Sequence, residues 1–135
     1  MSDVHVRVRA GGEHYALPVT GVREVAKLGH LTPVPGAPPA VLGVWNLRGD
    51  VMAVIDLAAL LGLQSAGAQD RIVVVEDGER RGGLAVESLV DVGAVPSSVD
   101  PVESEHLLGA VLIDRTPVGI LDLGVVLGAP SLERR

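Results

Sequence analysis

Short runs of valine, leucine and isoleucine recur along the chain, and glycine, proline or charged residues separate each run from the next. Alternating or continuous apolar runs of this length are typical of β-strands, because β-branched side chains fit a pleated surface. The pattern predicts ten strands, over residues 4–10, 14–19, 22–28, 42–47, 50–55, 71–76, 82–86, 89–95, 109–114 and 117–121. The fold class is therefore expected to be mainly β.

Turn signals separate the predicted strands: Ala-Gly-Gly at 10–12, Pro-Gly at 35–36, Arg-Gly-Asp at 48–50 and Asp-Gly at 77–78. Two strands end in Asp-Leu followed by a short apolar segment, "DLAALLG" and "DLGVVLG", which predicts two short helical turns. Asp56 and Asp122 stand where an N-cap is expected, and Gly62 and Gly128 stand where a helix stops.

An internal repeat organises the chain. The segment "VLGVWNLRGDVMAVIDLAALLGL" from Val41 aligns without a gap with "LLGAVLIDRTPVGILDLGVVLGA" from Leu107. This duplication predicts one domain over 1–135 with two lobes, 4–63 and 71–129, joined by a linker at 64–70. Five short strands per lobe, closed up to hide their edges, predict a pair of small barrels. The sequence leaves open whether the two halves interweave.

Composition narrows the class of protein. At 135 residues the chain is about one domain long. The net charge of −6 argues against wrapping nucleic acid, and the absence of cysteine excludes disulfides and thiolate chemistry. No apolar run approaches the ~18 residues that cross a bilayer, and "MSDVHVRVRA" lacks the apolar segment of a signal peptide. We therefore expect a soluble intracellular protein.

Candidate catalytic and metal-binding residues do not form a recognisable set. The histidines His5, His14, His30 and His106 show no metal-ligand spacing, so they are interpreted as solvated surface residues. Motif searches find no nucleophile elbow, phosphate loop or dinucleotide fingerprint. A carboxylate pair of Asp56 and Asp122 is conceivable, but the equivalent places of these residues in the repeat favour capping.

Three stretches resemble the CheW-like domain of bacterial chemotaxis adaptors: "YALPVTGVREV" (15–25), "TPVPGAPPAVLGVWNLRGDVMAVIDLAALLGL" (32–63) and "GILDLGVVLG" (119–128). The resemblance runs from about Val4 to Leu127. It implies two SH3-like five-stranded β-barrels packed over a shared apolar core, with short helical turns. Trp45 stands where the family usually has an aliphatic residue, and Ala53 where a proline is common.

The resemblance also implies a function. Family members are non-enzymatic scaffolds that couple the cytoplasmic tip of a chemoreceptor, a methyl-accepting chemotaxis protein, to the regulatory domain of the histidine kinase CheA. The protein is then expected to be cytoplasmic and recruited to membrane-associated receptor arrays, without cofactor, metal, nucleic acid or direct membrane insertion. Three alternatives stay open: a CheW-like adaptor of another motility or signalling pathway, a detached regulatory domain of such a kinase, and a small-ligand-binding module or enzyme.

Family resemblance places the receptor interface around one turn. The matched positions are Val22, Glu24, Gly43, Arg48 and Gly49, and Asn46 and Leu47 complete the motif. Resemblance implies that Glu24 pairs with Arg48, and a carboxylate there fixes the planar guanidinium in one orientation. The plainer alternative is an exposed turn arginine with a weak ion pair. Kinase-contacting residues are not assigned.

The second half of the repeat contains a similar spacing. Glu24 and Arg48 are 24 residues apart, and so are Asp91 and Arg115, which predicts a second pair. Pro117 and the missing turn glycine predict a different hairpin there. Asp50 is interpreted as an ordinary turn residue. The cell-adhesion reading of Arg-Gly-Asp is discarded, because nothing in the sequence favours secretion.

Overall fold

The computed structural model describes residues 4–64, 67–96 and 99–128. Each predicted strand is confirmed with bounds within two residues, and both short helices form. The elements are β1 (Val4–Ala10), β2 (Glu13–Pro18), β3 (Val22–Lys27), β4 (Val41–Leu47), β5 (Asp50–Asp56), α1 (Leu57–Leu60), β6 (Arg71–Asp77), β7 (Arg80–Val86), β8 (Ser88–Ala94), β9 (Leu107–Ile113), β10 (Thr116–Leu121) and α2 (Leu123–Gly128). None of the described helices has the length and apolar character to cross a membrane.

The ten strands form two five-stranded sheets. Sheet A has the order β8-β1-β2-β10-β9 and sheet B the order β3-β6-β7-β5-β4. Each sheet therefore takes three strands from one half of the repeat and two from the other, so the two halves exchange strands. One cause is local: only Glu87 separates β7 from β8, which is too short for a hairpin, and β8 continues onto sheet A beside β1.

The repeat extends to the topology. Replacing every strand by the one five positions away in the chain converts the order of sheet A into that of sheet B. Both sheets contain one parallel pair, β2 with β10 and β5 with β7. Equivalent backbone hydrogen bonds also recur, because Asp56 N–H donates to the Ala40 carbonyl and Asp122 N–H donates to the His106 carbonyl. The predicted linker at 64–70 and the end of the second lobe lie partly outside the described residues.

A shared apolar core lies where the two sheets meet. It takes buried side chains from both sheets and both helices, including Val8, Leu17, Val75, Leu84 and Leu121. A second cluster, the sheet B cluster, contains Trp45, Met52, Val54, Ile72, Val74 and Ala85. A third, the sheet A cluster, contains Ala16, Val111, Val118 and Ile120. Each sheet therefore contributes side chains to the shared core and to a smaller cluster of its own.

The two short helices begin at the predicted caps. The Asp56 carboxylate accepts a hydrogen bond from Ala59 N–H at 3.2 Å, and Asp122 accepts one from Val125 N–H at 3.3 Å. Each side-chain oxygen satisfies a backbone donor that the first turn leaves unpaired. Both aspartates therefore have the capping role that their positions in the repeat predict.

Trp45 is buried in the sheet B cluster, and small residues make room for it. Gly83 faces the indole from β7. A Cβ at Gly83 would lie 4.0 Å from the ring and 2.7 Å from the Ile72 side chain. The equivalent position in sheet A is Val111, so the aromatic departure from the family pattern belongs to one sheet only.

Candidate functional site

The candidate site is built around the two-residue turn between β4 and β5. Leu47 pairs with Asp50 across the hairpin, which leaves Arg48 and Gly49 as the central residues. Both have positive φ, +53° at Arg48 and +88° at Gly49, as in the type I′ turns that match strand twist. The Asn46 side-chain oxygen accepts a hydrogen bond from Gly49 N–H at 2.8 Å. Asn46 thus stabilises the turn that presents Arg48.

Glu24 and Arg48 form the predicted ion pair. The Arg48 Nη2 group donates to Glu24 Oε2, and the side chains are 68% and 36% exposed, respectively. Glu24 lies on β3 and Arg48 directly follows β4, and these strands form the two edges of sheet B. The exposed pair should add only ~0–1 kcal/mol to stability. Its effect is to hold a guanidinium at one place on the surface.

The remaining predicted interface residues differ in exposure. Val22 is half-buried at the start of β3 and packs against the shared core, and Leu47 packs against the sheet B cluster. Gly43 is buried, and a Cβ there would lie 2.7 Å from the Thr32 carbonyl oxygen. This close approach permits the backbone bridge between Thr32 and Val44. Gly43 therefore shapes the backbone, while Arg48 and Gly49 are at the surface.

A chain of ion pairs that sequence reasoning missed runs across sheet B. We call it the charge belt: Arg23 on β3, Glu76 on β6, Arg81 on β7 and Asp50 on β5. Glu76 Oε2 accepts from Arg23 Nη1 at 2.5 Å and from Arg81 Nε at 3.0 Å, and Arg81 Nη1 also donates to Asp50. The Asp50 carboxylate is thus an ion-pair partner as well, which the interpretation of Asp50 as an ordinary turn residue did not include.

One ion pair of the charge belt, Glu76–Arg81, could have been predicted from the sequence. Glu76 and Arg81 are opposite each other in the β6–β7 hairpin, which the Asp-Gly signal at 77–78 predicts, and opposite charges at such positions attract. The link to Asp50 had no such signal, because β5 and β7 are parallel neighbours far apart in sequence. The hydrogen bond to Glu76 and the charge of Asp50 raise the pKa of Arg81 above its ordinary value, so the guanidinium stays charged.

The second predicted pair does not form among the described residues. Asp91 instead accepts two hydrogen bonds from Arg7, from Nε at 3.1 Å and from Nη2 at 2.7 Å. Arg7 lies directly opposite Asp91 on β1, whereas the residue opposite Glu24 is the apolar Val74. Asp91 therefore has a cation on the neighbouring strand, and Glu24 reaches its cation in the turn.

The β9–β10 turn in the second half of the repeat has a backbone geometry more similar to that of the β4–β5 turn than predicted. Ile113 pairs with Thr116, so Asp114 and Arg115 are the central residues, with φ of +50° and +69°. The expectation of a different hairpin is wrong, because two non-glycine residues adopt the same positive-φ backbone. Arg115 occupies the place of Gly49 rather than that of Arg48. The two turns share backbone geometry and differ in where the guanidinium is attached.

The histidines do not assemble a metal site. Within residues 4–64, 67–96 and 99–128, no three His, Cys, Asp or Glu side chains are grouped to hold a metal ion. His30 is exposed as expected, but His5, His14 and His106 are half-buried, which corrects their interpretation as solvated residues. All three lie on or beside strands of sheet A, where packing covers part of each ring.

Comparison with known proteins places the chain in a family. The model of the CheW-like domain matches residues 5–130. The chemotaxis protein CheW of Rhizobium meliloti is 31% identical over 96% of this chain and 88% of that protein. The probable chemotaxis protein CheW of Rhizobium etli is 30% identical over 95% of this chain and 89% of that protein. The crystal structure of the scaffolding protein TtCheW from Thermoanaerobacter tengcongensis is 28% identical, with a TM-score of 0.83 over 91% of this chain and 86% of that one.

Proposed function

Because the chain belongs to the CheW-like domain family, we propose that it is a chemotaxis adaptor that couples chemoreceptors to a histidine kinase. The similarity to proteins named as chemotaxis and scaffolding proteins supports this role. The single observation that carries it is the exposed Arg48 held by Glu24 beside the apolar Leu47. An adaptor needs a positioned binding surface and no reacting group, and we propose a non-enzymatic role.

The receptor surface is proposed to be the turn and its surroundings. Arg48, Gly49 and Asn46 are exposed, and Glu24 fixes the orientation of the guanidinium. Arginines that become buried in a complex are frequent anchors of protein interfaces. Val22 and Leu47 would add apolar contact, and Gly43 would act through the backbone path of β4. The partner is the cytoplasmic tip of a methyl-accepting chemotaxis protein.

The second partner is proposed to be the regulatory domain of the kinase CheA, which has the same fold. Contact residues for the kinase stay unassigned. A protein with these two partners would be located in the cytoplasm at receptor arrays. In the described residues, three acidic and three basic side chains alternate at the receptor end of sheet B, which favours a protein partner over the uniformly negative backbone of nucleic acid.

The finer architecture is also a proposal. Each sheet would close into an SH3-like barrel, and the two lobes would correspond to residues 4–63 and 71–129 with exchanged strands. Support comes from the Glu24–Arg48 pair, which links the first and last strands of sheet B. The sheet B cluster gives further support, because it packs Ala26 from one edge strand with Trp45 from the other.

Direct binding tests the adaptor function. Purified protein is mixed with a soluble cytoplasmic-tip fragment of a chemoreceptor and, separately, with the regulatory domain of CheA from the same organism. We expect binding to both, and a ternary complex when all three are present, because the receptor surface covers only one end of sheet B. A folded protein that binds neither partner would overturn the proposal. Binding to the kinase alone would favour a regulatory-domain fragment.

A further inference from the structure

One carboxylate binds Arg48, and a second is close to it in the chain. Glu24 on β3 holds its guanidinium, and Asp50 lies two residues further on, at the first position of β5. Among the described residues Asp50 does not pair with Arg48, and its carboxylate instead accepts a hydrogen bond from Arg81 on β7. The charge belt therefore ends on a carboxylate that is two residues from Arg48 in the chain.

Arg81 is well placed to keep Asp50 occupied. Its guanidinium binds Glu76 through Nε at 3.0 Å and Nη2 at 2.8 Å and binds Asp50 through Nη1. A planar fork that satisfies carboxylates on two strands has little freedom to turn away. Arg23 holds Glu76 from the other side. In the charge belt, Glu76 on β6 therefore holds Arg81, and Arg81 on β7 in turn holds Asp50.

We propose that Arg81 is a positioning residue for the receptor surface, which acts by holding Asp50 away from Arg48; this inference rests on the proposed function. Without Arg81, the Asp50 carboxylate is free, and Arg48 divides between Glu24 and Asp50. The pairs involved are all partly exposed, with side chains 36–68% accessible, so their individual energies are small and similar. A small energy difference then decides where the guanidinium points.

Four variants separate positioning from a merely structural role. Arg81→Met removes the holder, Asp50→Asn removes the competitor, and the double variant removes both. Arg80→Met is the matched control, because Arg80 is the neighbouring arginine on β7 and instead donates to the Gly124 carbonyl. The affinity for the receptor cytoplasmic-tip fragment is measured by calorimetry, and side-chain NMR signals of the Arg48 guanidinium are followed in the free protein.

Arg81→Met should weaken receptor binding about three- to tenfold and broaden or shift the Arg48 signals. The double variant with Asp50→Asn should recover both, because the competing carboxylate is gone. Arg80→Met should bind like the unchanged protein, and Asp50→Asn alone should leave the Arg48 signals unchanged. Failure of Asp50→Asn to restore the Arg48 signals, or an Arg81→Met variant that behaves like the unchanged protein, would overturn the inference. If the unchanged protein does not bind the receptor, the proposed function fails, and the NMR series still decides whether Arg81 positions Arg48.

Discussion

Glu24 and Arg48 connect the two edges of one sheet. Glu24 lies on β3 and Arg48 follows β4, the first and last strands in the order of sheet B. For a direct contact between them, the sheet must curve until its edges approach at this end. The proposed receptor surface is therefore located at the end of sheet B where a side-chain contact joins its two edges.

Reversing the charge of Arg48 should separate binding from stability. The side chain is 68% exposed, so Arg48→Glu should change the free energy of unfolding by no more than about 1 kcal/mol. Affinity for the receptor fragment should fall about tenfold or more, because the anchor charge is inverted and repels Glu24. Calorimetry and thermal melting measure the two effects.

Arg115→Glu is the matched control for this charge reversal. Arg115 is an exposed arginine in the equivalent turn of sheet A and has a similar positive φ. Its replacement should leave receptor affinity unchanged. If Arg48→Glu unfolds the protein, or if both variants weaken binding equally, Arg48 is not the specific anchor.

Leu57→Ala should destabilise the fold strongly. Leu57 is fully buried in the shared core at the start of α1, and truncation there leaves a cavity that costs about 2–5 kcal/mol. Leu112→Ala removes the same atoms from a side chain that is 67% exposed on β9, and it should cost less than about 0.5 kcal/mol. Urea unfolding compares them. Equal effects would contradict the assignment of the shared core.

Gly49→Ala tests the backbone of the turn. The φ of +88° at Gly49 is unfavourable for any residue with a Cβ, although no atom lies within 4 Å of the position that a Cβ would occupy. Alanine should therefore cost about 1–2 kcal/mol through backbone strain alone. Gly67→Ala has equally open surroundings without the positive φ, and should change stability by less than about 0.5 kcal/mol. If Gly49→Ala leaves the free energy of unfolding unchanged, the turn has another backbone geometry.

Stability at high pH should depend on Tyr15. Burial, followed by the charge of Glu13, raises the pKa of this phenol above 10.0 in the folded protein. Above about pH 10 the unfolded chain loses the phenol proton while the folded chain keeps it, so stability falls as pH rises towards the folded pKa. Tyr15→Phe should remove this part of the decline. The comparison is made by urea unfolding at about pH 9 and pH 11.

An absorbance titration provides the independent check. The chain has a single tyrosine, so the phenolate signal reports Tyr15 alone. We expect the folded protein to titrate above the urea-unfolded protein. Coincident titrations, or a Tyr15→Phe variant with the same loss of stability at high pH, would contradict the effect of burial.

Local patterns were enough to predict the strands and the caps. Each strand depends on its own apolar run, and Asp56 and Asp122 cap helices from positions that the repeat makes visible. The Glu24–Arg48 pair followed from family resemblance, and the structure shows the contact. Its role in receptor binding stays a prediction.

Ion-pair partners on strands that are distant in the chain could not be predicted from the sequence. Asp91 binds Arg7 because β8 leaves its own half and lies beside β1, and no local feature of β8 indicates that destination. Asp50 binds Arg81 for a similar reason, since β5 and β7 meet only as parallel neighbours in the sheet. Spacing alone matched Asp91 with Arg115, but the register between strands decides which charges meet.

Strand exchange makes the completion of each sheet depend on both halves of the chain. Sheet A places β10 between β2 and β9, so Val118 must pair with His14, and sheet B is complete only when β6 and β7 have joined β3 and β5. Pairing of such distant segments loses loop-closure entropy before the stabilising contacts form, and this slows folding. On the ribosome, neither half of the chain can complete a sheet until the other has emerged. A nascent adaptor therefore exposes unpaired strand edges until both halves are available, a period in which binding by chaperones would protect it from aggregation.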